Sequence, residues 1–189
     1  MDSLIVKWLN GGVGHFRPWD LFMEAVVSDY LVPVLGSLVL VGLWFWGDEK
    51  DRFRNQTGFL IGSIAMGFSN LSTIIINNAY FRARPFVDHD LDLLFYRPTD
   101  SSFPSNPAAV GFAVATGVFL ANRRMGLVMY GVAFLYGFAR VYSGVQYPSD
   151  ILAGASIGIV IGLLVWGGLR LLRPVVRVVL RGAQAVYLA

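Results

Sequence analysis

No cysteine occurs in the 189 residues. That excludes disulfides, thiolate metal sites and a cysteine nucleophile, and it leaves the redox compartment unread. Charge is scarce too. Asp, Glu, Lys and Arg make up 14% of the chain, against ~25% in an average soluble domain, so little of this surface is built for water. The formal net charge is only +3, and no basic patch is interleaved with aromatics, so no nucleic-acid partner is expected. Histidine is limited to His15 and His89. The opening stretch, Met1 to Asn10, is too short and too soon interrupted to read as a signal peptide. Internal hydrophobic segments are expected to direct insertion instead.

What is abundant points to a membrane. Hydrophobic residues reach 56%, with 21 glycines and 14% aromatics, a composition that suits packed transmembrane helices with aromatic belts. A helical span needs ~20 apolar residues. Five segments approach that length: Tyr30 to Trp46, Gly58 to Ile76, the shorter Ala108 to Ala121, Met125 to Tyr142, and Asp150 to Leu169. Trp44 and Trp46 are placed at an interface. The expected fold is an all-α polytopic bundle of five spans, plus an N-terminal interfacial or sixth helix. Residues 1–29 form the N-terminal segment, with Asp20 to Val27 reading as an amphipathic helix. Residues 30–170 form the transmembrane domain. Residues 171–189 form a basic amphipathic tail striped by Arg173, Arg177 and Arg181.

Arginine and lysine placement sets the expected orientation. Lys50, Arg52 and Arg54 lie in loop 47–57, Arg123 and Arg124 in the turn after the third segment, and Arg170 to Arg181 in the tail. With five spans these fall on one side, assigned to the cytoplasm. The loops 77–107 and 143–149 then face outward. Gly154, Gly158 and Gly162 repeat every fourth residue. Such a stripe lets helix backbones approach closely, either within the chain or across a homo-oligomer or membrane-complex seam.

Three outward stretches collect the unusual residues. They are Ala79 to Phe86 with Arg82 and Arg84, Phe103 to Ala109 with Ser105, and Ala139 to Asp150 with Arg140. Chemically they suggest an anion site. Arginine binds phosphate bidentately, a helix start at Ser105 offers free N–H groups, and an arginine at membrane depth is costly unless it meets an anion or a wet pocket. Arg84 and Arg140 snorkelling to lipid headgroups is the plainer alternative. His89 lies in an acidic loop with Asp88, Asp90 and Asp92. That loop reads as a solvated surface, and neither a metal nor another cofactor is expected there.

In order and spacing, these stretches resemble the three signature motifs of the type 2 phosphatidic acid phosphatase and vanadium haloperoxidase superfamily. Arg84-Pro85 match the first motif's end, Pro104-Ser105 the second motif's start, and Arg140 with Asp150 the third. The resemblance runs from about Asp20 to Leu169. It implies a membrane lipid phosphatase fold in which a third-motif histidine attacks phosphorus, Asp orients that histidine, and a second-motif histidine protonates the leaving alkoxide. A lysine and the arginines hold the phosphoryl oxygens.

The departures fall on the chemistry. Asn77 stands for the lysine, Asn106-Pro107 for Gly-His, Ala139 for the serine before Arg140, and Gln146 for the attacking histidine. An amide is a poor nucleophile and proline carries no side-chain proton. The sequence therefore predicts a catalytically inactive, phosphatase-like membrane protein. Arg84, Ser105 and Arg140 would bind a phosphate or anionic lipid headgroup, with Arg82, Asn106 and Asp150 in support and no confident catalytic residue. Two alternatives stay open: an accessory subunit of a membrane complex, and an active lipid or polyprenyl phosphate phosphatase with a non-standard nucleophile, His89 included. The expected partners are membrane lipids, and the expected location is a bacterial inner membrane with the motifs outward and the tail cytoplasmic.

Overall fold

The computed structural model describes residues 1–185. All regular structure among them is helical: α1 (Asp2–Asn10), α2 (Arg17–Val27), α3 (Leu31–Phe45), α4 (Glu49–Ala79), α5 (Pro85–Asp88), α6 (Asn106–Ala121), α7 (Arg123–Tyr142), α8 (Pro148–Leu171) and α9 (Arg173–Ala185). The core is α6, apolar on every side and packed against α4, α7 and α8. Its small residues bring the backbones together. A Cβ on Gly117 would lie 2.4 Å from the Gly62 nitrogen, and one on Gly158 would lie 2.2 Å from the Ala109 carbonyl oxygen. Only glycine admits such an approach, which replaces side-chain volume with backbone contact.

The helices match the expected segments with informative shifts. The charged stretch read as loop 47–57 is the first part of α4, a helix of 31 residues. Its polar start is anchored by Asn55, whose amide donates to the Trp46 carbonyl (2.8 Å). Three helices, within α4, α7 and α8, are long and apolar enough to cross a membrane. The α2–α3 pair, bent by 54°, counts as a fourth if it is one broken span. The five expected spans are thus not all met by length. α3 has 15 residues and α6 has 16, or roughly 22–24 Å at ~1.5 Å per residue, short of a ~30 Å hydrocarbon core. α6 need not meet lipid, because other helices enclose it.

The N-terminal segment divides into α1 and α2. Met23, Val26 and Val27 of α2 are buried against Tyr136, Ala139 and Tyr142 of α7, so its apolar face has a protein partner. Asp20 on the same helix accepts a hydrogen bond from the Tyr142 hydroxyl (2.7 Å). The Gly154, Gly158 and Gly162 stripe faces Ser105, Ala109 and Thr116 along α6. It is an internal seam, which removes it as the oligomer contact that was one reading of the sequence. In the tail, Val176 and Leu180 are buried while Arg173, Arg177 and Arg181 are exposed, the pattern expected of an arginine stripe. Residues 186–189 of the predicted tail lie outside the described residues.

Chain direction sorts the loops between two ends. Arg54, Leu120, Arg170 and Arg173 line one cavity, at the end where α4 starts and α6 and α8 finish. Asn77, Arg84, Asn106, Arg140 and Gln146 line another, at the opposite end.

Candidate phosphate site

The three motif stretches converge on a cavity of about 140 Å³. Arg84 enters it from the N-cap of α5, where Pro85 begins the helix. Arg140 comes from the last turn of α7. Gln146 comes from the loop before α8, and Asn106 and Pro107 from the start of α6. Both arginines are buried. A buried guanidinium needs compensating groups, and the two find theirs differently.

Arg84 is fully engaged. Its Nε donates to the Asp100 carbonyl (3.1 Å), one terminal nitrogen to the Val145 carbonyl (2.9 Å) and the other to the Asp100 carboxylate (2.8 Å). Burial pushes its pKa down, Asp100 opposes that, and the nearby Arg140 charge adds to it. The net direction is downward, though a guanidinium keeps its proton at any physiological pH.

Arg140 is loosely held. Its guanidinium lies 4.9 Å from the Phe95 ring centre and 5.7 Å from that of Tyr136. A terminal nitrogen is 3.4 Å from the Tyr136 hydroxyl and 3.8 Å from the Asp29 carboxylate. Its Nε is buried and has no hydrogen-bond partner. Such a group is destabilising by roughly 1–3 kcal/mol unless an acceptor reaches it.

Gln146, Asn77 and Asn106, which line the same cavity, are anchored by hydrogen bonds. The Gln146 carbonyl oxygen accepts from the Ser105 hydroxyl (2.8 Å), and its amide donates to the Ser102 carbonyl (3.3 Å). Asp150 does not serve Gln146. One of its oxygens accepts from Arg82 (2.5 Å), and the other from the Ser102 hydroxyl (2.5 Å) and the Tyr147 N–H (3.0 Å). With its side-chain amide assigned so that the nitrogen faces the carbonyls, Asn77 donates to the Phe103 carbonyl (2.6 Å) and the Thr73 carbonyl (3.2 Å). Asn106 accepts from the Thr73 hydroxyl (2.7 Å).

Ser105, an expected binder, and Arg82, an expected supporting residue, have other partners. The Ser105 side chain caps α6 by accepting from the Ala108 N–H (3.3 Å), while its own N–H donates to the Asp150 carbonyl (3.0 Å). Pro107 removes a further N–H from that helix start, so the N-terminus is a weaker anion site than the sequence suggested. Arg82 turns away from the cavity. It bridges Asp150 and Asp2 (3.0 Å), stacks on the Tyr147 ring (4.2 Å), and lines a separate cavity with His89. His89 is therefore apart from the arginine pair. Sequence reasoning missed Asp29, Asp100 and Ser102, which belong to no motif.

Comparison with known proteins agrees with the geometry. The PAP2 superfamily model matches residues 58–173. Undecaprenyl-diphosphatase BcrC of Bacillus subtilis (strain 168) is 31% identical over 188 residues, covering 98% of this chain and 93% of its own. The crystal structure of Aquifex aeolicus LpxE has a TM-score of 0.67 at 24% identity, covering 88% of this chain and 94% of that one. The PAP2-type phosphatidylglycerolphosphate phosphatase from Bacillus subtilis gives 0.63 at 24% identity, covering 88% and 83%. The chain belongs to the PAP2 superfamily and is an integral membrane protein of the lipid phosphatase-like fold.

Proposed function

We propose that this PAP2 protein binds the terminal phosphate of a membrane lipid in the Arg84–Arg140 cavity, without the phosphohistidine chemistry of its fold. The observation that carries this reading is Arg140. A buried guanidinium with an unpartnered Nε, in a cavity shared with a second buried arginine, is arranged to receive an anion. Charge-assisted hydrogen bonds of this kind contribute ~1.5–3 kcal/mol each. Hydrolysis by the family route needs a nucleophile and an acid, and Gln146 and Pro107 supply neither. By this reading the protein is a pseudoenzyme that meets its lipid from the outer face of a bacterial inner membrane.

A second reading is active hydrolysis of a lipid or polyprenyl phosphate by another nucleophile. It is favoured by the likeness, along nearly the whole chain, to a relative named an undecaprenyl-diphosphatase.

One pair of measurements separates the two. Purified protein in detergent is melted with inorganic phosphate or short-chain phosphatidate. A ligand selective for the folded state raises the melting temperature. Wild type should respond, and Arg140→Ala should need roughly ten-fold to a hundred-fold more ligand for the same shift. The same protein, given labelled polyprenyl diphosphate and phosphatidate, should form no acid-labile phosphoprotein and release no phosphate above a blank. Robust turnover would move hydrolysis to the front. Equal thermal responses in wild type and Arg140→Ala would remove the cavity as the binding site.

A further inference from the structure

The cavity that holds two cations also holds two anions. Asp29, in the link between α2 and α3, and Asp100, in the loop before α6, both line it. The charges of Arg84, Arg140, Asp29 and Asp100 therefore sum to zero. The burial of the four side chains is uneven. Arg84 and Arg140 are 5% and 4% exposed, but Asp100 is 64% and Asp29 is 46% exposed. The cations lie at the bottom and the carboxylates at the rim.

From this we infer that Asp100 and Asp29 are exchangeable counter-anions: they neutralise the arginines in the free protein and are displaced into water when a terminal phosphate binds. The inference rests on the phosphate-binding reading above. Its physical basis is the asymmetry of burial. Breaking a pair so that a buried charge is left alone is strongly destabilising, so Arg84 and Arg140 must be matched in both states. An exposed carboxylate released to solvent regains hydration, and its loss from the pair costs little. Exchange of two carboxylates for one phosphate monoester dianion leaves the buried charge balanced. A phosphodiester carries a single negative charge and would leave one carboxylate in place.

The pairs differ in strength. Asp100 lies 2.8 Å from Arg84 in a hydrogen bond, whereas Asp29 is 3.8 Å from Arg140. Asp100 is thus the stronger competitor for an incoming phosphate. Its removal should have the larger effect.

The test is direct binding, by calorimetry in detergent, of inorganic phosphate, short-chain phosphatidate and short-chain phosphatidylglycerol. The proteins are wild type, Asp100→Asn, Asp29→Asn and Asp90→Asn. Asp90 is exposed in the same outer loop and does not line the cavity, so it controls for a general change in charge. Asp100→Asn should bind the monoester about ten-fold more tightly than wild type, a ~1.4 kcal/mol gain, while its ligand-free melting temperature falls. Asp90→Asn should match wild type, and the diester should gain less than the monoester. Phosphatidate binding without inorganic phosphate binding would identify the lipid as the source; equal binding of both would identify the phosphate group alone. If wild type is silent and Asp100→Asn binds, the counter-anion role stands in its strongest form. Equal or weaker binding by Asp100→Asn, with wild type still binding, overturns the counter-anion role and leaves phosphate binding intact. Silence of all four proteins overturns both. Should Asp100→Asn fail to fold, Asp29→Asn is read by the same criteria.

Discussion

At one end of the bundle Arg84 and Arg140 are buried, and Arg82 is partly so, each beside a carboxylate or an aromatic ring. At the other end Arg54, Arg123, Arg124, Arg170 and Arg173 are exposed. The residue is the same, and burial gives it opposite meanings. An exposed guanidinium keeps its hydration and needs no partner, so it can report which side of a membrane it was retained on. A buried one must be matched by protein or ligand. An excess of exposed arginines at one end is therefore the orientation signal, and buried ones mark a site.

The largest effect that this contrast predicts is all-or-none. The chain has no cysteine, so single substitutions give a clean label. Arg97→Cys and Arg123→Cys should react with an impermeant maleimide from opposite sides of intact cells, position 97 from outside. Labelling of both from one side would break the comparison at its root, because the two ends would then share a compartment.

Next in size is a pair of alanine substitutions. Arg82→Ala leaves Asp150, which is 0% exposed, without its cation, and removes a ring contact from Tyr147. The expected loss is about 3 kcal/mol. Arg124→Ala at the exposed end should change stability by no more than about 0.5 kcal/mol. Both are read from unfolding in detergent. A near-neutral Arg82→Ala would mean that Ser102 and the Tyr147 N–H hold Asp150 by themselves.

The contrast was only half legible in the sequence. Periodicity and hydropathy located the long helices, because a membrane span writes its length into composition. The start of α4 was missed because Asp51, Arg52 and Arg54 look like a loop until Asn55 is seen bonding to Trp46. In the site, Arg84, Arg140 and Gln146 were readable from order and spacing, and they do converge. How Arg82 acts was not readable, because a motif gives sequence distance but not side-chain direction; two residues from Arg84, it turns to Asp2 and to Asp150, its fellow supporting residue. Asp29 and Asp100 were invisible, because they come from loops outside every motif and acquire meaning only by facing a buried arginine.

The smallest effect concerns two ion pairs, one at each end. Asp2 on α1 accepts hydrogen bonds from Ser149 and Arg82, joining the N-terminal helix to the third motif. Arg54 and Asp51 form a pair at 3.1 Å in which both side chains are more than half exposed. Partial burial of Asp2 raises its pKa, but the Ser149 bond and the Arg82 bond and charge outweigh this and hold it below the usual carboxylate value. A carboxyl depressed in the folded state stabilises the fold above its unfolded pKa, and that contribution is lost as pH falls through the folded value. Wild type should thus be more stable than Asp2→Asn at neutral pH, by about 1 kcal/mol or less given the exposure of the pair. The difference should close as pH falls below the usual carboxylate value of 3.8. Asp51→Asn should show little difference at any pH, because solvent screens its pair. Hydrogen exchange in α1, followed against pH in wild type and Asp2→Asn, resolves the effect locally. If protection of α1 is the same in both proteins at neutral pH, the Asp2–Arg82 pair is no stronger than the Asp51–Arg54 pair, and burial at the cavity end then matters only for Arg84 and Arg140.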